Sequence, residues 1–299
     1  MPGTAGVVVS ARNHRKEPAR AAASGDATWR YKAVAVVAAL AAILGVAGSQ
    51  MFAAGAAKPH AVERIRQNPP PALFPDTDVS GWTTRLAEQK RAADRLFAQW
   101  RTRHGSARDD KAFLVWAAQQ VPAPPPGDQR SAELGQLRTL ARARTAAGRK
   151  AASWLEVHGK QDIWQLYLSD QRELLPAGQG DAARTRLKAA LKMGKTISSR
   201  LSARYRQPSP YVLDPSLRPE KKKRNGNACP CSYPSSHAAA SSAAVTVLSH
   251  FAPHRATDYQ WMQAEVVYSR VYMAGHVPSD ILAGALLGAL IGDYVLVTS

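Results

Sequence analysis

The chain has 299 residues, enough to bury a substantial core in one large domain or two small ones. Forty Lys plus Arg against 22 Asp plus Glu give a formal charge of +18, which favours phosphate esters, lipid headgroups and other anions as partners. Much of that charge also fits the solvated faces of Ala- and Arg-rich helices, and nucleic acid is not an expected partner. The only two cysteines, Cys229 and Cys231, are too few for a disulfide scaffold. One residue separates them, so a mutual disulfide would be strained and they read as free thiols. No zinc-type spacing is present, and no metal site is expected.

Residues 1–32 form a basic, polar tail carrying Arg12, Arg15, Lys16, Arg20, Arg30 and Lys32. From Ala33 to Ala57 there is no charged residue, and 25 residues suffice to cross a bilayer core of about 30 Å. The basic tail places the N-terminus inside and the rest of the chain outside. The small residues at the end of this stretch also suit a cleaved signal peptide, but the long leader favours an uncleaved anchor. Residues 58–78 include the proline-rich run "RQNPPPALFPDTD" and read as a linker, with a helical domain over 79–299. Helical spacing starts near Trp82, breaks at "VPAPPPGDQ" (121–129), and returns through 133–158, 162–175 and 180–205. A loop follows over 206–234, including "KKKR" at 221–224. The last three predicted helices are "SSHAAASSAAVTVLSHF", "DYQWMQAEVVYSRVYMA" and "PSDILAGALLGALIGDYVLV". The final one is apolar nearly all round and is assigned to the core.

Two stretches carry chemistry. In "YPSSHAAASS", Ser235 is suited to cap a helix whose unpaired N–H groups would attract an anion beside Ser236 and His237. In "YSRVYMAGHVPSD", Arg270 ends one helix, His276 sits in the loop, and Pro278 fits the first turn of the next. Asp280, four residues beyond His276, can accept one ring N–H and leave the other nitrogen to attack. The Arg270 guanidinium offers a planar fork for phosphate-like oxygens. A buried salt-bridge cluster is the alternative reading of the same three residues.

"PSSH" and "SRVYMAGHVPSD" together resemble the second and third signatures of the type 2 phosphatidic acid phosphatase superfamily. That superfamily also holds soluble acid phosphatases and vanadium haloperoxidases. The third signature fits through Ser269, Arg270, His276 and Asp280; in the second, Ser236 stands where glycine is usual. The likeness covers roughly 190–295. It implies an all-α helical bundle of the acid phosphatase/vanadium haloperoxidase type, here preceded by one N-terminal transmembrane helix. It further implies His276 as nucleophile, Asp280 as its orienting partner and His237 as acid, with Arg270, Ser235 and Ser236 holding phosphoryl oxygens. The first signature is degraded: Ser202, Gln207 and Ser209 occupy positions where cations are expected. Arg200, Arg204, Arg206, Arg218 and the 221–224 run are the candidate substitutes, with Arg206 taken as the phosphate-binding one. The expected activity is metal- and cofactor-free hydrolysis of a phosphomonoester or lipid diphosphate, by an exported enzyme anchored in the membrane. A vanadate-dependent haloperoxidase and a non-catalytic phosphate-binding module are the alternatives.

Overall fold

The computed structural model describes residues 60–218 and 231–298. The basic tail, the expected span over 33–57, Cys229 and the 221–224 run lie outside the described residues. The described residues all belong to one unit, Ala47–Ser299. They are helical and contain no strand; one antiparallel bridge pairs Pro208 with Cys231.

In chain order the helices are α1 (Ala61–Gln67), α2 (Asp76–His104), α3 (Asp110–Gln120), α4 (Gly127–Arg142), α5 (Ala146–His158) and α6 (Asp162–Arg172). They continue with α7 (Gln179–Tyr205), the single turn α8 (Pro210–Leu213), α9 (Ser236–Phe251), α10 (Ala256–Tyr272) and α11 (Pro278–Val297). Side-chain caps set several of the starts: Asp109 accepts from Ala112 N–H (2.9 Å) and Thr145 from Gly148 N–H (3.0 Å). The expected linker carries structure of its own. Within it α1 packs on α6, Phe74 is buried, and α2 begins at Asp76. Apolar side chains at Ile65 and Phe74 explain why this proline-rich stretch is drawn onto the domain.

The bundle is organised around α9, which packs against α7, α10 and α11. Helix α11 also lies against α2 and α7, and α10 against α2 and α5. By length and composition α11 could cross a membrane, yet most of its residues are buried within the domain. Its residues Gly284, Gly288 and Gly292 fall on one face at four-residue spacing. A Cβ at Gly284 or Gly288 would run into the carbonyl oxygen of Ser235 or Ala239 on α9. Small residues on both helices therefore allow backbone-to-backbone approach, and they bring the N-terminal ends of α9 and α11 together.

Candidate active site

The junction of α9 and α11 is stitched by the Ser235 N–H, which donates to the Asp280 carbonyl (2.9 Å). The Ser235 hydroxyl caps α9 by accepting from Ala238 N–H (3.3 Å). The N–H groups of Ser236 and His237 keep no hydrogen bond among the described residues, leaving a helix N-terminus able to receive an anion. Ser236 and His237 line a cavity of about 1210 Å³, whose wall also includes Arg270, Gly275 and His276. The two distant motifs thus face one space.

Arg270 lies near the end of α10 with 3% of its surface exposed. Its carbonyl accepts from the N–H groups of Gly275 (2.9 Å) and His276 (3.3 Å), folding the loop back over the guanidinium. That turn requires a left-handed backbone at Ala274 (φ 52). A Cβ at Gly275 would stand 2.9 Å from Arg270 Nη2, so glycine here leaves the guanidinium its room. Arg270 Nε and Nη1 make no hydrogen bond, although Nη1 lies 3.2 Å from Glu156 Oε2. A buried guanidinium with unused donors beside a cavity is suited to an incoming oxyanion.

His276 Nδ1 is 2.8 Å from the Ser232 carbonyl oxygen and 3.6 Å from Asp280 Oδ2. A carbonyl oxygen accepts only, so Nδ1 carries the proton and the lone pair of the neutral ring is on Nε2. Asp280 therefore does not take the ring N–H as the four-residue spacing suggested. Its carboxylate turns instead to Val277 N–H (3.1 Å) and Arg130 Nη1 (3.0 Å), while the Ser232 carbonyl is nearer the imidazole. Asp280 braces the ring electrostatically, one step back.

Arg130 is the member that sequence motifs miss. Arriving from α4, it is 4% exposed and also donates through Nη2 to the Pro208 carbonyl (2.8 Å) and Ser232 Oγ (3.1 Å). One turn later Glu133 accepts from Ser279 N–H (2.9 Å) and Ser279 Oγ (2.7 Å). Together they grip the start of α11 and the Ser232 loop.

The charge balance favours neutral imidazoles. Burial depresses His237 well below the ordinary 6.5, and Arg270 and Lys160 add to the effect. Burial also depresses His276, with Asp280 opposing and Arg270 reinforcing. Burial works to raise Asp280, but His276 and Arg130 hold its carboxyl below the usual carboxylate range. His237 Nε2 is 2.9 Å from the Glu156 carbonyl, which fixes a proton on that nitrogen.

Cations absent from the first signature arrive from elsewhere. Lys195 and Arg206 line the cavity from the end of α7, on a stripe with Ser198, Ser199 and Ser202; Lys160 joins them from the α5–α6 turn. The 3- and 4-residue spacing from Lys195 to Ser202 is a signal that a helical-face reading of α7 could have found. Of the expected residues, His237, His276, Arg270, Ser236 and Arg206 border the cavity. Asp280 and Ser235 are fully buried behind it, and the Ser235 hydroxyl is committed to its cap. Cys231 also borders the cavity and is disulfide-bonded, correcting the free-thiol expectation. No cluster of three His, Cys, Asp or Glu arranged for a metal occurs among the described residues.

The family model described as the PAP2 superfamily matches residues 188–298. Comparison with curated proteins gives no match.

Proposed function

Residues 188–298 belong to the PAP2 superfamily, and from that premise we propose that the chain is a phosphatase working through a phosphohistidine intermediate. Family membership supports phosphatase-type chemistry broadly. The reading of roles rests chiefly on one observation: His276, with its lone pair on Nε2, shares a cavity with His237, Arg270 and the start of α9.

In this mechanism Arg270, Ser236 and the N–H groups that open α9 hold the phosphoryl oxygens, where negative charge grows in the transition state. His276 Nε2 attacks phosphorus and the bond to the ester oxygen breaks. His237 gives its proton to the departing oxygen. Phosphate charge in the cavity offsets Arg270 and Lys160, raising His237 toward its ordinary value and favouring that protonated form. Water then attacks the phosphohistidine, His237 takes back a proton, and phosphate leaves with His276 restored. Asp280 stabilises the positive ring in both steps, and Arg130 holds Asp280.

The substrate is a phosphomonoester or lipid diphosphate, with Lys160, Lys195 and Arg206 supplying the outer positive charge. Export and single-pass anchoring through 33–57 complete the proposal, on sequence grounds alone. The deciding experiment is phosphate release from an aryl phosphate by the full chain, with acid-quench trapping of radiolabelled phosphoenzyme. Label retained by wild type and absent in His276→Ala supports the proposal. Turnover unchanged in His276→Ala would sink it, and halide oxidation appearing only with added vanadate would replace it.

A further inference from the structure

Beside the glycine column of α11 that meets α9 runs a second column, one residue on: Ala285, Ala289 and Asp293. These three line no part of the cavity that holds His237 and His276. They line another, of about 520 Å³, walled by α2, α9, α10 and α11. That volume accommodates a small organic molecule. Leu86, Val245, Ala285 and Ala289 are all buried and supply it with an apolar floor.

The polar groups of this cavity are unevenly matched. Gln263 Nε2 donates to Ser242 Oγ (2.6 Å), and Thr246 Oγ1 donates to the Ser242 carbonyl (3.0 Å). Asp293 Oδ2 and Ser249 Oγ, by contrast, are buried with no hydrogen-bond partner among the described residues. Buried polar atoms are nearly always paired, so these two mark where a partner is wanted.

Lys90 does not meet the demand at Asp293. Its Nζ donates to Asp293 Oδ1 (3.0 Å) and also to Asp94, so one ammonium serves two carboxylates. Burial pushes the Asp293 carboxyl up to about 6, against the pull of Lys90, and Asp94 adds to the rise. At neutral pH Asp293 is therefore an under-compensated carboxylate whose second oxygen can only accept. Arg91 and His250, the other ionisable groups lining the cavity, are exposed to solvent.

We propose that this second cavity binds a small amphipathic amine. The ammonium donates to Asp293 Oδ2, the alkyl part lies on Leu86, Val245 and Ala289, and Ser249 Oγ offers a further polar contact. An apolar floor selects the hydrocarbon, an acceptor-only oxygen selects a donor, and a carboxylate disfavours anions. The site is separate from the proposed phosphatase chemistry and does not depend on it.

The test titrates n-hexylamine, n-hexanol and hexanoate into the full chain at neutral pH, followed by calorimetry and by melting temperature. Wild type is compared with Asp293→Asn and with Ala289→Phe, which fills the cavity. The expected result is saturable binding of hexylamine, binding of hexanol about tenfold weaker, and no binding of hexanoate. Asp293→Asn should weaken hexylamine about tenfold and change hexanol little, while Ala289→Phe abolishes both. Displacement of hexylamine by excess hexanol places the two probes in one cavity even if the filled variant fails to fold. Absence of saturable hexylamine binding overturns the proposal, as does an affinity for it unchanged in Asp293→Asn. Equal affinity for all three probes, or hexanoate binding best, overturns the assigned class. None of these outcomes bears on the phosphatase reading.

Discussion

Among the described residues are two buried histidine–aspartate pairs with the same four-residue spacing, His158–Asp162 and His276–Asp280. In the first, Nδ1 bonds Asp162 Oδ2 directly at 2.8 Å and Nε2 meets Asn68 Nδ2 at 3.2 Å. Arg64 closes the set through Nε to the same carboxylate (3.0 Å). Every ring nitrogen is used, and the cluster ties α1 to α5 and α6. In the second pair the carboxylate is 3.6 Å away, the Ser232 carbonyl takes Nδ1–H, and Nε2 has no protein partner among the described residues. The shorter, better-formed pair is the structural one. The proposed chemistry would draw on the nitrogen left over at His276, not on the quality of the His–Asp contact.

Breaking each pair should separate these roles. The largest effect belongs to His276→Ala, expected to lower kcat by about 10³-fold or more, while His158→Ala lowers it less than about tenfold. Steady-state rates on an aryl phosphate check both. Next comes Arg130→Met, which removes the cation behind Asp280 and the donor to Ser232. A loss of about 10²-fold in kcat is expected, with the pH profile displaced because the stabilisation of His276 changes. A simple packing defect would leave that profile in place.

His158→Ala should instead appear in stability, costing about 1–3 kcal/mol in denaturant titrations, because Asp162 and Asn68 lose a buried partner. The smallest effect is a pH dependence of stability set by the two cavity histidines and the two aspartates. His237 and His276 titrate below the ordinary 6.5 in the folded protein, so the unfolded chain binds protons first as pH falls. The stability associated with their neutral rings is present above about 6.5 and is lost as pH drops through the depressed folded values. Asp162 and Asp280 are both lowered from 3.8, so their contribution is lost in a second, more acidic window that both pairs share. Melting temperature against pH should show the upper limb flatten in His237→Ala while the lower limb remains.

The two motif helices were legible because their signals are local. Pro278 and the unbroken apolar run define α11 from Pro278 to Val297, and Ser235 followed by alanines defines the start of α9. The convergence of His237, Arg270 and His276 was readable through the spacing of their signatures. Arg130 and Glu156 were not, because each acts on a partner many residues away and nothing in "GDQR" or "WLEVH" marks it. The misplaced Asp280 contact has a subtler origin. Sequence spacing gives the distance along the helix, but the positive φ at Ala274 and the Ser232 loop decide where the ring points. Cys231 was misread because spacing alone suggested strain where the structure has a disulfide.

Arg130 bears on what can be cut away or transplanted. A fragment starting at residue 188 would retain both histidines, Asp280 and Arg270, yet lose the guanidinium that holds Asp280, Pro208 and Ser232 in one grip. Such a graft would keep the Ser232 and Val277 contacts of His276 and Asp280 but lose the only charged brace on that carboxylate, besides the ring, among the described residues. The structural unit behind the proposed site therefore reaches back at least to α4.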